Sequence, residues 1–334
     1  MSITLNLQDR LPEDLADMDV RDIGRVFPGP TLIEVEGDNT APVYISTLLH
    51  GNETTSFQIL QHLQRVLAHG RPPRSLMIFV GNVAAAAEGK RHLPDQPDFN
   101  RIWAGGDGPY HELAQQVAER ARMNGIVASV DIHNNTGRNP IYGCVNTLRP
   151  QDLRLAAMFA PTAVYYLNPP TTQSISFSRF CPAITVECGQ SGDPEGVAAA
   201  TRLVDGVIGL ERFPDSPPPP GTMDLYKTVG RILVDEAVEL SFGEPGADLV
   251  LRSDLEAKNF ETIEGGSVWC ETTLDDVPFR VVNEHGSDLT SQFFRRDGKR
   301  LVVTEDVVPS MVTRDRDIIR QDCLCYLMKP LAGA

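Results

Sequence analysis

Basic residues are in short supply in this sequence: 30 Lys and Arg stand against 45 Asp and Glu, a formal net charge of −15. That balance argues against nucleic acid or an anionic membrane as the main partner. A small anionic substrate stays admissible, because a few arginines can reverse the field inside one cleft. No apolar run is long enough to span a bilayer. The N-terminal stretch MSITLNLQDRLPEDLADMD is acidic and lacks a basic segment followed by an apolar one, so it is not expected to be a signal peptide. Cysteine is scarce as well. The six present (Cys144, Cys181, Cys188, Cys270, Cys323, Cys325) form no C-x-x-C pair and no disulfide-like framework, and a reduced, cytoplasmic setting is the default. Internal repeats are absent, and the only low-complexity segment is a run of prolines.

What is present suits a soluble globular protein with a large core: 334 residues, 41% hydrophobic and 22% charged. The proline run, Asp215-Ser216-Pro217-Pro218-Pro219-Pro220-Gly221, is a stiff, non-helical connector. It divides the chain into an expected catalytic domain over 1–214, a linker over 215–221 and a β-rich domain over 222–334. Before the linker, apolar runs alternate with helical patterns. Val43 to Leu49, Leu76 to Val80, Ile126 to Ile132 and Ala183 to Glu187 read as buried strands. Helices are expected through Phe57, Leu60, Leu63 and Leu67, through Leu113, Val117 and Ala121, and from about Pro194, with Val197, Thr201, Val204 and Ile208 on one face. Alternating strands and helices imply an α/β domain with a largely parallel sheet flanked by helices. After the linker come short β-like runs separated by turns such as Gly265-Gly266 and Asp297-Gly298.

The chemistry concentrates at strand ends, where α/β enzymes place function. His50 and Glu53 follow the first strand, His133 ends the Ile126 strand, and Glu187 ends the Ala183 strand. Two imidazoles and a carboxylate form a three-ligand set for a catalytic zinc, with one position left for water. Glu53 lies three residues after His50, so both can point to one side of a tight turn, and Thr54-Thr55-Ser56 suits the start of a helix. Asp131 shares a strand face with His133 and could orient it by accepting its other ring N–H. Taken alone, H-x-x-E reads as a solvated helix start and His133 as a loop cap. Glu187, a carboxylate closing an apolar strand, is an awkward core residue without a job. A second cluster, Arg91, Asp98, Asn100 and Arg101, sits in a Pro-rich stretch. Arginine grips carboxylates with a planar fork, which suggests an anionic substrate; a surface salt-bridge loop is the plainer reading. Trp103 and Tyr110 could line a pocket or cover the sheet.

His50-Gly51-Asn52-Glu53, Asp98-Phe99-Asn100-Arg101, Asp131-Ile132-His133-Asn134-Asn135-Thr136 and Thr185-Val186-Glu187-Cys188-Gly189 occur in an order that resembles the succinylglutamate desuccinylase/aspartoacylase family, a branch of the zinc-carboxypeptidase-like hydrolases. The resemblance covers most of the chain, since that family also carries a β-rich C-terminal domain. It implies one Zn²⁺ per chain on His50, Glu53 and His133, and Glu187 as general base and acid. It implies Asn100 and Arg101 on the substrate carboxylate and Arg91 as the arginine that polarises the scissile carbonyl. Aspartoacylase-like members carry a further substrate arginine shortly before the catalytic glutamate. Here Ser176 occupies that place and Arg179 lies closer to Glu187, which leaves a second substrate carboxylate without its usual partner.

The expected activity is amide hydrolysis of a small anionic N-acyl amino acid. A zinc carboxypeptidase is the alternative enzyme, and a non-catalytic metal-binding protein or a metal-free scaffold the alternatives from other classes. The oligomeric state is open, a homo-oligomer included.

Overall fold

A computed structural model describes residues 3–331. The chain divides into two compact units, one of residues 1–134 and 141–224, the other of 135–140 and 225–334. The proline run at 215–221 lies within the first.

The first unit holds strands β1 (Asn6–Gln8), β2 (Thr31–Val35) and β3 (Asn39–Thr47), helix α1 (Thr54–Leu67), β4 (Arg74–Val80), α2 (Val83–Glu88), α3 (Pro109–Met123), β5 (Ala128–His133), β6 (Ile141–Val145), α4 (Pro150–Phe159), β7 (Thr162–Tyr165), α5 (Gln173–Phe177), β8 (Ala183–Cys188) and α6 (Pro194–Gly209). Its strands run in the order β1-β2-β4-β3-β5-β8-β6-β7. The four central strands, β4, β3, β5 and β8, are mutually parallel. β2 is antiparallel to β4 and β6 antiparallel to β8, so the sheet is mixed and largely parallel. Every residue of β5 and β8 is buried, which is why these segments read as unbroken apolar runs.

The helices cover that sheet with apolar stripes. α1 buries Phe57, Ile59, Leu60 and Leu63, while Leu67 is only half-buried. α6 departs from the expected face: it buries Gly196, Ala199, Ala200, Leu203, Val204, Val207 and Ile208, and leaves Val197 and Thr201 half-buried. The reason is Gly196. A Cβ there would meet the Cys188 carbonyl oxygen at 1.8 Å, so the helix rests its backbone directly on the end of β8 and turns its small residues inward. Trp103 is core rather than pocket lining. It is 5% exposed, packs edge-on against Phe79 and Phe177, and donates to the Phe99 carbonyl at 2.7 Å. Tyr110 is half-buried against the Phe99 ring.

The second unit contains β9 (Asp224–Val234), β10 (Leu240–Phe242), β11 (Leu249–Leu251), β12 (Val268–Thr272), β13 (Phe279–Val282), α7 (Thr290–Phe293), β14 (Phe294–Asp297), β15 (Arg300–Val303), β16 (Val308–Ser310), α8 (Arg316–Gln321) and β17 (Cys325–Pro330). One sheet has the order β10-β11-β12-β15-β14, and β13, β9, β17 and β16 pair antiparallel in a second. Trp269, Phe279, Phe293, Phe294 and Leu327 share its core, with Cys325 packed among them. Asn259 ties residues 135–140 to this unit by donating to the Arg138 and Val312 carbonyls at 2.8 and 2.9 Å. No helix among the described residues is long and apolar enough to cross a membrane.

Candidate active site

The carboxyl ends of β3, β5 and β8 lie side by side, and each delivers part of one buried cluster. Beyond β3 the chain turns through Leu48, a non-glycine residue in the left-handed region at φ 52. Its amide donates to Ser56 Oγ at 3.0 Å and its carbonyl accepts from Asn82 at 2.7 Å, so both ends of the strained residue are held. The turn throws His50 inward. Gly51 then passes against α2, where a Cβ would lie 2.2 Å from the Ala86 nitrogen. Glu53 holds the N-cap position of α1 without a side-chain cap hydrogen bond, its carboxylate going to the histidines instead. On β5 and β8, His133 and Glu187 are register partners, which puts their side chains on the same face of the sheet.

His50, Glu53 and His133 are 3%, 5% and 3% exposed. Glu53 stands between the rings: Oε1 is 2.7 Å from His50 Nδ1, and Oε2 is 2.8 Å from His133 Nδ1. The outward nitrogens are committed to carboxylates. His50 Nε2 meets Asp98 Oδ1 at 2.9 Å, and His133 Nε2 meets Asp131 Oδ2 at 2.9 Å. Since a carboxylate only accepts, each Nε2 carries a proton, and each Nδ1 faces the common centre. One ligand atom from each of the three residues lies within 4.8 Å of the others. Two imidazole nitrogens and a carboxylate oxygen, each ring oriented from behind, could hold a divalent metal ion and leave it an open position.

Charge supports the same fit. Without a metal, Glu53 lies far below the ordinary carboxylate range: burial would raise it, but the His50 and His133 charges and hydrogen bonds prevail. Burial would lower His133, but Asp131 and Glu53 outweigh it and hold the ring well above its usual value. Asp98 is likewise held down, against its burial, by His50 and Arg91. Glu187 behaves differently. Burial pushes it up to about 7, with the Glu53 and Asp131 charges adding to the rise and the imidazoles opposing it. A carboxyl poised near neutrality beside a metal-ligand set can take up and return a proton. Cys144 is buried and its thiol is pushed well up by burial and by the Glu187 charge, so it stays protonated.

The arginine loop reaches the same place. Arg91 forks onto Asp98 Oδ2 through Nε and Nη2 at 3.1 and 2.9 Å, and its Nη1 lies 3.7 Å from Glu53 Oε1. Asn100 Oδ1 accepts from the Gln173 amide at 2.9 Å, which fixes the side-chain amide and points Nδ2 at His133 Nε2, 3.3 Å away. That ring nitrogen already donates to Asp131, so Asn100 Nδ2 keeps its protons for an oxygen acceptor. Arg101 donates to the Asn100 carbonyl at 3.1 Å. Ser176 is half-buried on α5, and Arg179 is exposed just beyond it.

Two residues escaped the sequence reading. Asn134 donates from its backbone to Glu53 Oε2 at 3.1 Å, accepts from the Thr55 amide at 3.1 Å and donates to the Gly189 carbonyl at 3.1 Å, joining the ends of all three strands. Gln173 sets the Asn100 amide. Asn134 stands in the Asp131–Thr136 motif but was given no role there; nothing local marks Gln173.

Residues 39–213 match the profile of the Succinylglutamate desuccinylase/Aspartoacylase catalytic domain. A succinylglutamate desuccinylase of Serratia proteamaculans is 24% identical over 268 residues, 72% of this chain and 78% of that protein. One from Burkholderia lata is 37% identical over 78 residues, so the match spans only 23% of this chain and 22% of the relative. The solved succinylglutamate desuccinylase of Chromobacterium violaceum shares the fold, with a TM-score of 0.63 at 16% identity over 90% of this chain and 89% of that one.

Proposed function

The chain belongs to the succinylglutamate desuccinylase/aspartoacylase family, and from that premise we propose that it is a zinc-dependent amidohydrolase cleaving an N-acyl amino acid. The observation that carries the reading is the buried triad: Glu53 within 2.8 Å of both Nδ1 atoms, each Nε2 anchored on its own aspartate. His50, Glu53 and His133 would hold Zn²⁺. When bound, the ion supplies a Lewis acid that activates water and polarises a carbonyl. Glu187 takes the proton of the attacking water and delivers it to the departing amine, a cycle suited to a carboxyl whose pKa burial brings to about 7. Arg91, aimed past Glu53, donates to the oxygen that gains charge as the amide carbonyl is attacked. Asn100 and Arg101 hold the substrate carboxylate, Asn100 through the amide protons that its hydrogen bond from Gln173 leaves directed into the site. Asp98 and Asp131 orient the two histidines.

The test is amine release from a panel of N-acetyl, N-formyl and N-succinyl amino acids and short peptides, zinc-loaded protein beside Glu187→Gln. Release from an acyl amino acid, lost in the variant, is the expected result. Release from peptides alone would replace this reading with a carboxypeptidase, and no release from zinc-loaded protein would overturn the amidohydrolase assignment for these acyl groups.

A further inference from the structure

Beneath the metal ligands the sheet carries a polar layer that neither catalysis nor ordinary packing accounts for. Ser46, Asp131 and Thr185 are register partners on β3, β5 and β8, one level below His133 and Glu187 on the same face. Tyr44 and Ser129 are partners one level lower still. α5 packs over this face, its Phe177 ring 4.5 Å from the Tyr44 ring and its Gln173 Nε2 donating to Ser129 Oγ at 3.0 Å. Tyr44, Ser46, Asp131 and Gln173 are wholly buried and Thr185 is 4% exposed. Yet Asp131 Oδ1, Thr185 Oγ1 and Gln173 Oε1 have no hydrogen-bond partner among the described residues, and the Tyr44 and Ser46 hydroxyls have only each other.

Three orphaned oxygens, beside two hydroxyls that have only each other, all on one buried layer, are not scattered packing defects. Each costs free energy if unsatisfied, the carboxylate oxygen most. Their chemistry is mixed: three hydroxyls can donate, while the carboxylate and the amide oxygen can only accept. A cation would satisfy the acceptors and strand the hydroxyl protons. Water satisfies both, since it donates twice and accepts twice, and buried waters make about three hydrogen bonds each to groups of this kind. The Tyr44 hydroxyl is held well above its ordinary pKa by burial and by the Asp131 charge, against its hydrogen bond with Ser46, so it stays protonated.

We propose that Tyr44, Ser46, Thr185 and Gln173 form a buried water site that holds the second oxygen of Asp131, and so positions His133 for the metal. Asp131 Oδ2 fixes the His133 tautomer, and water on Oδ1 keeps the carboxylate from turning. Ser46, Thr185 and Tyr44 are thus positioning residues, one layer further from the metal than Asp131. The proposal rests on the metal-site reading above and adds a function for residues outside it.

The experiment compares Zn²⁺ affinity, by chelator competition, and metal-free thermal stability for wild type, Thr185→Val, Ser46→Ala and Thr185→Ser. Thr185→Val keeps the shape and removes one hydroxyl. The expected result is about tenfold weaker Zn²⁺ binding in Thr185→Val and in Ser46→Ala, the scale of a lost partner behind a ligand, with affinity restored in Thr185→Ser. Wild-type affinity in both hydroxyl-deleted variants overturns the proposal. If their melting temperature also rises, the hydroxyls are orphans with no water; if it falls, they serve packing alone. Should Thr185→Val fail to fold, Ser46→Ala alone decides by the same criterion. Wild-type protein that binds no Zn²⁺ refutes the metal reading itself, a separate failure seen before any variant is compared.

Discussion

Asp98→Ala should weaken the metal site and the fold by separable amounts. Asp98 Oδ1 accepts from His50 Nε2 at 2.9 Å and from the Asn100 amide at 2.7 Å, while Oδ2 accepts both arms of Arg91 at 3.1 and 2.9 Å. Without the carboxylate, the His50 ring is free to change tautomer and to rotate. Losing such a partner typically weakens metal binding about 10- to 100-fold, roughly 1.4–2.7 kcal/mol. Arg91 and the Asn100 amide also lose their acceptor. Breaking a buried pair costs about 3–5 kcal/mol, but the Arg91 side chain is 21% exposed and water can reach it, so the lower end, about 3 kcal/mol, is expected. Asp98→Asn separates the two effects. An amide oxygen at the Oδ1 position can still hold His50, but its NH₂ then faces the Arg91 guanidinium, donor against donor. Zinc affinity should stay near wild type while stability and turnover fall. Chelator competition reads the first, thermal melting of the metal-free protein the second, and amine release the third. A folded Asp98→Ala protein with wild-type zinc affinity would refute the claim that Asp98 orients His50, and so would an Asn variant that binds zinc more weakly than the Ala variant.

Metal loading should release protons. Since Asp131 and Glu53 keep His133 protonated in the metal-free site, its Nδ1 proton must leave before the nitrogen can bind a metal, and affinity should fall about tenfold per pH unit on the acid side for each proton displaced; calorimetry in buffers of different ionisation enthalpy should show at least one proton released at pH 7, and none would contradict the assigned hydrogen bonds. His50→Ala and His133→Ala should each lose zinc on dialysis, a result checked by elemental analysis, where full occupancy in both excludes the ligand set. Glu187→Gln should keep its zinc and lose about two to four orders of magnitude in turnover. In wild type the base works only when ionised, so the rate should rise with pH along a limb at or below about 7, because a bound dication favours the carboxylate further. Gly196→Ala should destabilise by about 1–3 kcal/mol or more in denaturant melts despite the better helix propensity of alanine, because the new methyl would overlap the Cys188 carbonyl; a stabilised variant would mean that α6 can lift away from β8.

The parts of the site that could be read from the sequence are those that local physics fixes. β5, β8 and the last six residues of β3 are buried on both faces, so their apolar runs stand out, and a histidine or glutamate at the end of such a run is conspicuous. The parts that could not be read depend on partners distant in the chain. Ile141-Tyr142-Gly143-Cys144-Val145 is a short run with a glycine in the middle, and only its antiparallel pairing with β8 makes it a strand. The inward face of α6 was half legible: Val204 and Ile208 of the expected i, i+4 stripe are buried, while close backbone contact at Gly196 turns Ala199, Ala200, Leu203 and Val207 inward and leaves Val197 and Thr201 half-buried. Trp103 was ambiguous until the Phe79 and Phe177 rings were seen around it. The same holds for Ser46 and Thr185: in the sequence they are small polar interruptions of apolar strands, and only the register brings them level with Asp131.

Electrostatics explains why these buried residues tolerate one another. Glu53, Asp98, Asp131 and Glu187 crowd one end of the sheet with Arg91 beside them, and neutral imidazoles would leave an excess of buried negative charge. Two remedies are open to this residue set. Protons can occupy the imidazoles, as they occupy His133 when no metal is bound, or a dication can sit between the Nδ1 atoms and Glu53. The two would compete for the same lone pairs, so a metal entering this site would have to displace protons. Glu187 is set apart by its surroundings: burial is the largest influence on it and raises it to about 7, with the imidazole charges opposing the rise. A carboxyl that burial brings near neutrality, beside a Glu53 and a His133 that their partners hold charged, is the division of labour that hydrolysis by activated water requires.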